Sequence, residues 1–288
     1  MSSKANLSQV AKSLCDTRGF TLGDFVGGGA FKKVFRVEGK NGEEYALKLL
    51  KGDLSVQRTH REIEALQRCD HSNIAKLFRT GTYDFERRKY SFTLEEFLPG
   101  GTLTEWIRRY GWLDDEQLIE LATPLIDAIS HIADLGLVHR DIKPDNIMFR
   151  DDEITPVLVD FNLVRDLLSA SLTQSWLNRG PGTPYFASPE QLNNQKRLID
   201  WRTDQFSLGV TLCYARFGVH PYQHPDESDL SAKTVERVAM RGGVSDYMLD
   251  KFKSTGLVCL ERMTKIWPVE RFRRPMDLET AWHNIGGM

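Results

Sequence analysis

The spacing of apolar and polar residues divides this chain into two textures. Strand-type patterning begins at Phe20, continues through Phe35-Arg36-Val37 and Tyr45-Ala46-Leu47-Lys48, and returns in Phe92-Thr93-Leu94-Glu95-Glu96-Phe97-Leu98. These are short runs rich in aromatic and aliphatic residues, bounded by glycine or charge, which is how half-buried strands read. From Gly101 onward apolar residues recur at helical spacing. The pattern predicts a short helix over Leu103 to Tyr110 and a longer one over Asp114 to Leu135, with Leu118, Leu121, Leu125 and Ile132 on its inner face. Pro124 falls inside that helix and should kink it, because its ring removes a donor and clashes with the preceding turn. Two further helices are predicted, one from Leu7 to Cys15 and one from about Ser55 to Arg68, the latter with Ile63 and Leu66 as an inner stripe.

Composition sets outer limits. A chain of 288 residues that is 41% hydrophobic and 27% charged can bury a large core and suits one two-lobed domain or two small ones. The net charge of −2 gives no electrostatic case for a nucleic acid partner. No apolar run approaches the ~20 residues needed to span a bilayer, and Met1 to Val10 lacks the apolar core of a signal peptide, so no membrane role and a cytoplasmic location are expected. Cys15, Cys69, Cys213 and Cys259 stand singly, without the close pairing that metal sites or redox motifs show, and are expected to be free, buried thiols.

Chemistry is concentrated in His139-Arg140-Asp141-Ile142-Lys143-Pro144-Asp145-Asn146, followed after one short hairpin by Val159-Asp160-Phe161-Asn162. An acid, a lysine, an amide and a second acid at this spacing can position a hydroxyl nucleophile, steady a phosphoryl group and hold Mg²⁺. Upstream, Gly27-Gly28-Gly29-Ala30-Phe31-Lys32-Lys33-Val34 supplies a tight turn between two strands. A triple glycine alone is an ordinary hairpin signal, since glycine serves wherever the backbone needs positive φ. Backbone amides of such a turn can nevertheless approach phosphate oxygens closely.

The catalytic-type loop resembles H-R-D-x-x-x-x-N of the protein kinase family, and Tyr45-Ala46-Leu47-Lys48 resembles that family's V-A-I-K. His71-Ser72-Asn73-Ile74 is similar to H-P-N-I, and Gly182-Thr183-Pro184-Tyr185-Phe186-Ala187-Ser188-Pro189-Glu190 to G-T-x-x-Y-x-A-P-E. The resemblance runs from about Phe20 to the C-terminus and implies an α+β, bilobal fold. After a lead-in over residues 1–19, a kinase domain would fill 20–288: a small β-rich lobe with one helix (about 20–95), a hinge (about 96–100) and a mainly helical lobe (about 101–288).

The resemblance also assigns roles. Asp141 would orient the acceptor hydroxyl, Lys143 would touch the transferring phosphate, Thr183 would bridge to both, and Asn146 and Asp160 would hold metal. Lys48 would pair with the α and β phosphates and with Glu62 of the helix, the offset from His71 selecting Glu62 over Glu64. Nucleotide contacts are implied for Gly27, Gly28, Gly29, Val34, Ala46, Lys48, Glu96, Leu98 and Met148. The cofactors would be ATP and Mg²⁺, with Mn²⁺ as an alternative, and the partners protein substrates; oligomeric state is not readable. Lys143, two residues after Asp141, belongs to the serine/threonine (Hanks-type) branch.

Three positions depart from the pattern: Lys32 replaces the third loop glycine, Asn162 the glycine of D-F-G, and Glu95 an apolar residue at the back of the adenine pocket. A buried carboxylate must be paired or protonated. Lys48 is the expected partner of Glu95, in competition with Glu62 in an inactive state, although a one-residue shift would place Leu94 at the back instead. These departures keep a partner-binding pseudokinase as the alternative reading, beside a small-molecule kinase of the same fold. Ser169, Ser171, Thr173 and Ser175 are candidates for self-phosphorylation, with Arg140 as the phosphate's partner. The aspartate of Asp204-Gln205-Phe206-Ser207-Leu208-Gly209-Val210 is implied to prop the catalytic loop, and Glu190 to meet an arginine, Arg274 being favoured over Arg271 because a proline follows it.

Overall fold

In the computed structural model of the protein, the described residues are 6–28, 32–50, 67, 69–150, 155–160, 183–224 and 230–286. They belong to two compact units, one of residues 1–70 and 75–99, the other of 71–74 and 100–288.

The first unit is built on a five-stranded antiparallel sheet in the order β1-β2-β3-β5-β4, with β1 Thr21–Gly28, β2 Lys32–Glu38, β3 Glu44–Leu50, β4 Leu77–Phe85 and β5 Arg88–Glu96. Register divides the sheet's two faces. Cross-strand partners share a face, so the pairs Val34↔Lys48, Lys48↔Thr93 and Ala46↔Glu95 put Val34, Ala46, Lys48, Thr93 and Glu95 on one side. Phe35, Val37, Leu47, Leu49, Phe92 and Leu94 fall on the other. Gly27 and Gly28 of the glycine run belong to strand β1, where they pair with Val34 and Lys33. A β-carbon on Gly28 would lie 2.8 Å from the Lys32 carbonyl oxygen, so this close approach requires glycine.

Helix α1, Leu7–Arg18, covers the apolar face. Asn6 caps it by accepting the Ser8 amide at 3.1 Å, and Gly19 ends it at φ 76 by donating to the Cys15 carbonyl. It runs one turn beyond the predicted Cys15 because no breaker occurs before Gly19. Leu7, Val10, Ala11, Leu14 and Cys15, at three- and four-residue spacing, join the sheet's Phe35, Val37, Leu47, Leu49, Tyr90, Phe92 and Leu94 in one core. The Ser13 hydroxyl also lies 2.7 Å from that of Tyr83 in β4. The expected lead-in is therefore structural cover for the sheet.

The second unit is mainly helical. Helix α2 (Leu103–Tyr110) has the predicted bounds, fixed by a capping box between Thr102 and Glu105. Helix α3 (Asp115–Asp134) starts from an equivalent box between Asp114 and Gln117 and passes through Pro124 as one element. The two-stranded pair β6 (Ile147–Phe149) and β7 (Pro156–Leu158) follows the catalytic-type loop. After it come α4 (Pro189–Leu192), α5 (Trp201–Phe217), α6 (Leu230–Ala239), α7 (Asp246–Thr255), α8 (Val258–Met263) and α9 (Pro275–Gly286). Helix α3 packs against α5 and α9, and α5 against α8. All of α5 from Thr203 to Cys213 is buried, including five polar side chains. No helix among the described residues is long and apolar enough to cross a membrane. All four cysteines are free and buried, and burial pushes the Cys15 thiol up to about 11 and that of Cys259 to about 12.

Candidate active site

The loop from His139 to Asn146 is hung from the buried helix α5. Asp204 accepts the main-chain N–H of His139 at 2.6 Å and that of Arg140 at 2.8 Å, one on each carboxylate oxygen. Burial pushes its carboxyl up to about 7, against the pull of these two amides and of the Arg140 charge. Full use of both oxygens as acceptors favours the ionised form. His139 is buried, which holds its imidazole down at about 4 and therefore neutral. Its Nε2 lies 2.9 Å from the Val159 carbonyl and its Nδ1 accepts the Asp141 amide at 3.3 Å, the pattern of a neutral ring protonated on Nε2.

These anchors hold two residues in the left-handed region, Arg140 at φ 67 and Asp160 at φ 66. Non-glycine residues seldom adopt it, and such positions cluster where a fold aims side chains for chemistry. Asp141 follows the first turn. Its Oδ2 lies 3.1 Å from Lys143 Nζ and accepts from Asn146 Nδ2 at 3.1 Å, while the same amide donates to the Asp141 carbonyl at 2.7 Å. The side chains of Asp141 and Lys143 are 10% and 15% exposed, so this charged pair acts in a medium of lowered polarity. Asn146 is also tied to the segment carrying Asp160, because its carbonyl accepts the Val159 amide at 3.0 Å.

With its amide nitrogen donating twice, Asn146 keeps its Oδ1 as the atom suited to a cation, on a residue bonded through its carbonyl to Val159, which precedes Asp160. Among the described residues no three or more His, Cys, Asp or Glu side chains form a metal cage. One carboxylate and one amide oxygen nevertheless fit Mg²⁺, which keeps several waters and shares its shell with phosphate oxygens.

In the first unit the ammonium of Lys48 lies 2.5 Å from Glu95 Oε2, and Glu95 Oε1 accepts the Thr93 hydroxyl at 2.7 Å. Sequence left Leu94 and Glu95 as alternatives for the back position. Leu94 lies in the core beneath α1, whereas Glu95 shares a face with Lys48. Val34 and Ala46 share that face too. Glu96 pairs with Tyr45 at the end of β5, its Oε2 accepting the Lys76 amide, and Leu98 is buried beyond it. Met148 lies in β6 of the second unit.

Several expected positions lie outside the described residues: Gly29, Glu62 with most of its predicted helix, Asn162, and the segment with Ser169, Ser171, Thr173 and Ser175. Thr183 opens a 3-10 turn over Thr183–Phe186, but its side chain is likewise outside them.

One expectation is corrected. The partner of Glu190 is Arg271, whose two terminal nitrogens donate at 2.8 and 3.1 Å, with both side chains fully buried. Arg274 instead forms an exposed pair with Asp277 at the start of α9, so the proline that follows it marks a helix start rather than a buried anchor. Sequence reasoning also missed Gln191, whose side-chain nitrogen donates to the Arg140 carbonyl at 2.8 Å, and Thr93. No motif points to Gln191, whereas Thr93 could be found two residues before Glu95, on the same strand face.

A family model described as protein kinase domain matches residues 20–282. Among curated proteins, calcium/calmodulin-dependent protein kinase type 1 of Caenorhabditis briggsae is 29% identical over 222 residues, which is 74% of this chain and 59% of that protein. "Probable serine/threonine-protein kinase PknB" of Bifidobacterium longum is 26% identical over 259 residues, 85% of this chain and 36% of that one. The chain thus spans about three fifths of the length of the first relative and about a third of the second. Among solved structures, Rad53 1-466 in complex with AMP-PNP aligns with a TM-score of 0.70 at 22% identity, covering 93% of this chain and 66% of that one, a likeness of fold.

Proposed function

Because the chain belongs to the protein kinase domain family, we propose that it is an ATP- and Mg²⁺-dependent serine/threonine protein kinase. The observation that carries the reading is the shielded group of Asp141, Lys143 and Asn146, in which Asp141 Oδ2 accepts from both Lys143 and Asn146 at 3.1 Å on a loop fixed by Asp204. A carboxylate in that position orients an acceptor hydroxyl and takes up its proton. The adjacent ammonium of Lys143 meets negative charge on the transferring phosphoryl group, where a prealigned cation lowers the barrier most. Asn146 and Asp160 are the residues that would hold Mg²⁺. When bound, the metal neutralises charge on the phosphate oxygens. Lys48 and the main-chain amides at Gly27 and Gly28 would take the remaining phosphates, with Val34, Ala46, Glu96, Leu98 and Met148 toward the base. Lys143 supports hydroxyl acceptors of the serine/threonine kind, as do the relatives' names. Transfer to the chain's own Ser169, Ser171, Thr173 or Ser175 belongs to the same proposal.

The test is transfer of radiolabelled phosphate from ATP to a mixed serine/threonine/tyrosine peptide pool, by wild type and by Asp141→Asn. Loss of a positioned general base costs about 10²- to 10⁴-fold. The wild type should therefore label serine or threonine peptides, and the variant should fall at least about a hundredfold. Equal labelling by the two would rule out transfer by this chain and favour a regulatory, non-catalytic role.

A further inference from the structure

Lys48 is held by a residue of its own sheet. Lys48 and Thr93 are direct cross-strand partners, and Glu95, two residues further along β5 on the same face, is the diagonal neighbour that a long side chain reaches. The β3–β5 ladder around them is unbroken from Tyr45↔Glu96 to Leu50↔Ser91. The carboxylate is fixed from both sides, Oε2 on Lys48 Nζ at 2.5 Å and Oε1 on the Thr93 hydroxyl at 2.7 Å. The two charged side chains are only 11% and 16% exposed. In such surroundings an ion pair is stronger than in water, and removing one partner costs far more than at the surface.

We propose that Glu95 is the positioning residue for Lys48: an anchor carried inside the sheet that aims the ammonium at the phosphates of the bound nucleotide. This rests on the proposed kinase reading. An ammonium has three N–H donors, so bonding to Glu95 does not exhaust it. Both partners sit on paired strands, so their pairing survives any displacement of a helix. Kinases generally need a lysine–glutamate pair whose glutamate is borne on a mobile helix, where helix position controls activity. Here one bond of Lys48 is fixed by strand register, with Thr93 preorganising the carboxylate. The same geometry argues against Glu95 as a restraint that must release Lys48, because release would take the cation from a shielded carboxylate whose other oxygen is held by the Thr93 hydroxyl.

The experiment is equilibrium binding of Mg²⁺-ATP, ADP and adenosine to the full chain, by calorimetry or competition, for wild type, Glu95→Gln and Thr93→Val. If Glu95 aims Lys48 at phosphates, Glu95→Gln weakens ATP and ADP by about ten- to a hundredfold and leaves adenosine unchanged. Thr93→Val shifts ATP and ADP in the same direction by a smaller factor. A residue that merely shapes the pocket would weaken all three ligands together, and that result overturns the proposal. Unchanged or tighter ATP binding by Glu95→Gln overturns it as well, the tighter case identifying Glu95 as a restraint. If thermal melting shows that Glu95→Gln is unfolded, Thr93→Val decides by the same comparison. Failure of the wild type to bind any of the three overturns the kinase reading itself, whereas wild-type binding with an unaltered Glu95→Gln overturns the anchor alone.

Discussion

Replacing Arg271 with methionine should be among the most damaging single changes in the second unit. Its guanidinium makes five hydrogen bonds: two to Glu190 and one each to the carbonyls of Lys265, Arg202 and Ile266, at 2.7 to 3.1 Å. It also lies 4.8 Å from the centre of the Phe206 ring. Neither partner of the ion pair sees solvent. Truncation leaves the Glu190 carboxylate buried with the Thr203 hydroxyl at 3.0 Å, and three carbonyls lose a donor. An orphaned buried charge costs about 3–5 kcal/mol, a large share of the ~5–15 kcal/mol that stabilises a domain. At about 2–4 °C per kcal/mol for a unit of this size, the calorimetric midpoint should fall by roughly 10 °C. Adding Glu190→Gln should restore part of the loss, because the stranded charge is then gone. Arg274→Met provides the contrast: its partner Asp277 lies at the surface, and the midpoint should stay within error. If Arg271→Met leaves the midpoint unchanged while Arg274→Met lowers it, the assignment of the buried anchor is wrong.

Two other changes follow from the same kind of reasoning. His139 and His220 are both buried, with imidazoles held down at about 4 and about 3 by desolvation. The unfolded chain binds these protons near pH 6.5, so the native state gains stability above that pH and loses it as pH falls toward about 4. The raised carboxyl of Asp204 works in the opposite sense over the same window, but the two histidines together outweigh it, so melting midpoints should drop from pH 6.5 to 4, and His220→Gln should make the drop smaller; a slope that His220→Gln leaves unchanged would contradict neutral burial. Leu14→Ala, at the centre of the α1–sheet contact and 1% exposed, should cost about 2–5 kcal/mol. Urea unfolding would detect it, and a neutral result would mean that α1 is not part of the first unit's core.

Where the sequence was legible, local chemistry and final geometry coincide. The loop residues Asp141, Lys143 and Asn146 lie within five positions of one another, so their contacts depend on a single turn that the spacing already encodes. Helix α2 was legible to the residue because Thr102 and Glu105 cap it. The Lys48–Glu95 pair was legible because an isolated carboxylate at that position needs a cation, and period-two alternation puts the two on one face. What escaped was tertiary. Arg271 and Arg274 differ by three positions and carry the same charge, and only the packing of the chain around Phe206 and Glu190 decides which is buried. Gln191 reaches Arg140 across 51 residues of sequence, and α1 shows its role only when the sheet's apolar face exists to receive it.

The strain at the candidate site and the buried polar network of α5 belong to one balance. Holding Arg140 and Asp160 at positive φ costs on the order of 1–3 kcal/mol each. Against this, Asp204 accepts two main-chain N–H groups on a shielded carboxylate, and hydrogen bonds to charged groups contribute about 1.5–3 kcal/mol each. The two sums are comparable, so the loop holds its shape only while Asp204 stays in place. Asp204 is in turn flanked on α5 by Thr203, which donates to Glu190, and by Gln205, which bonds both the amide and the carbonyl of Phe272. Glu190 and Phe272 lead directly to Arg271. The buried ion pair, far from Asp141 in chain order, thus belongs to the frame that offsets the strain of the catalytic-type loop. This accounts for Thr203, Asp204 and Gln205, three of the five buried polar side chains on a helix with no exposed face along that stretch.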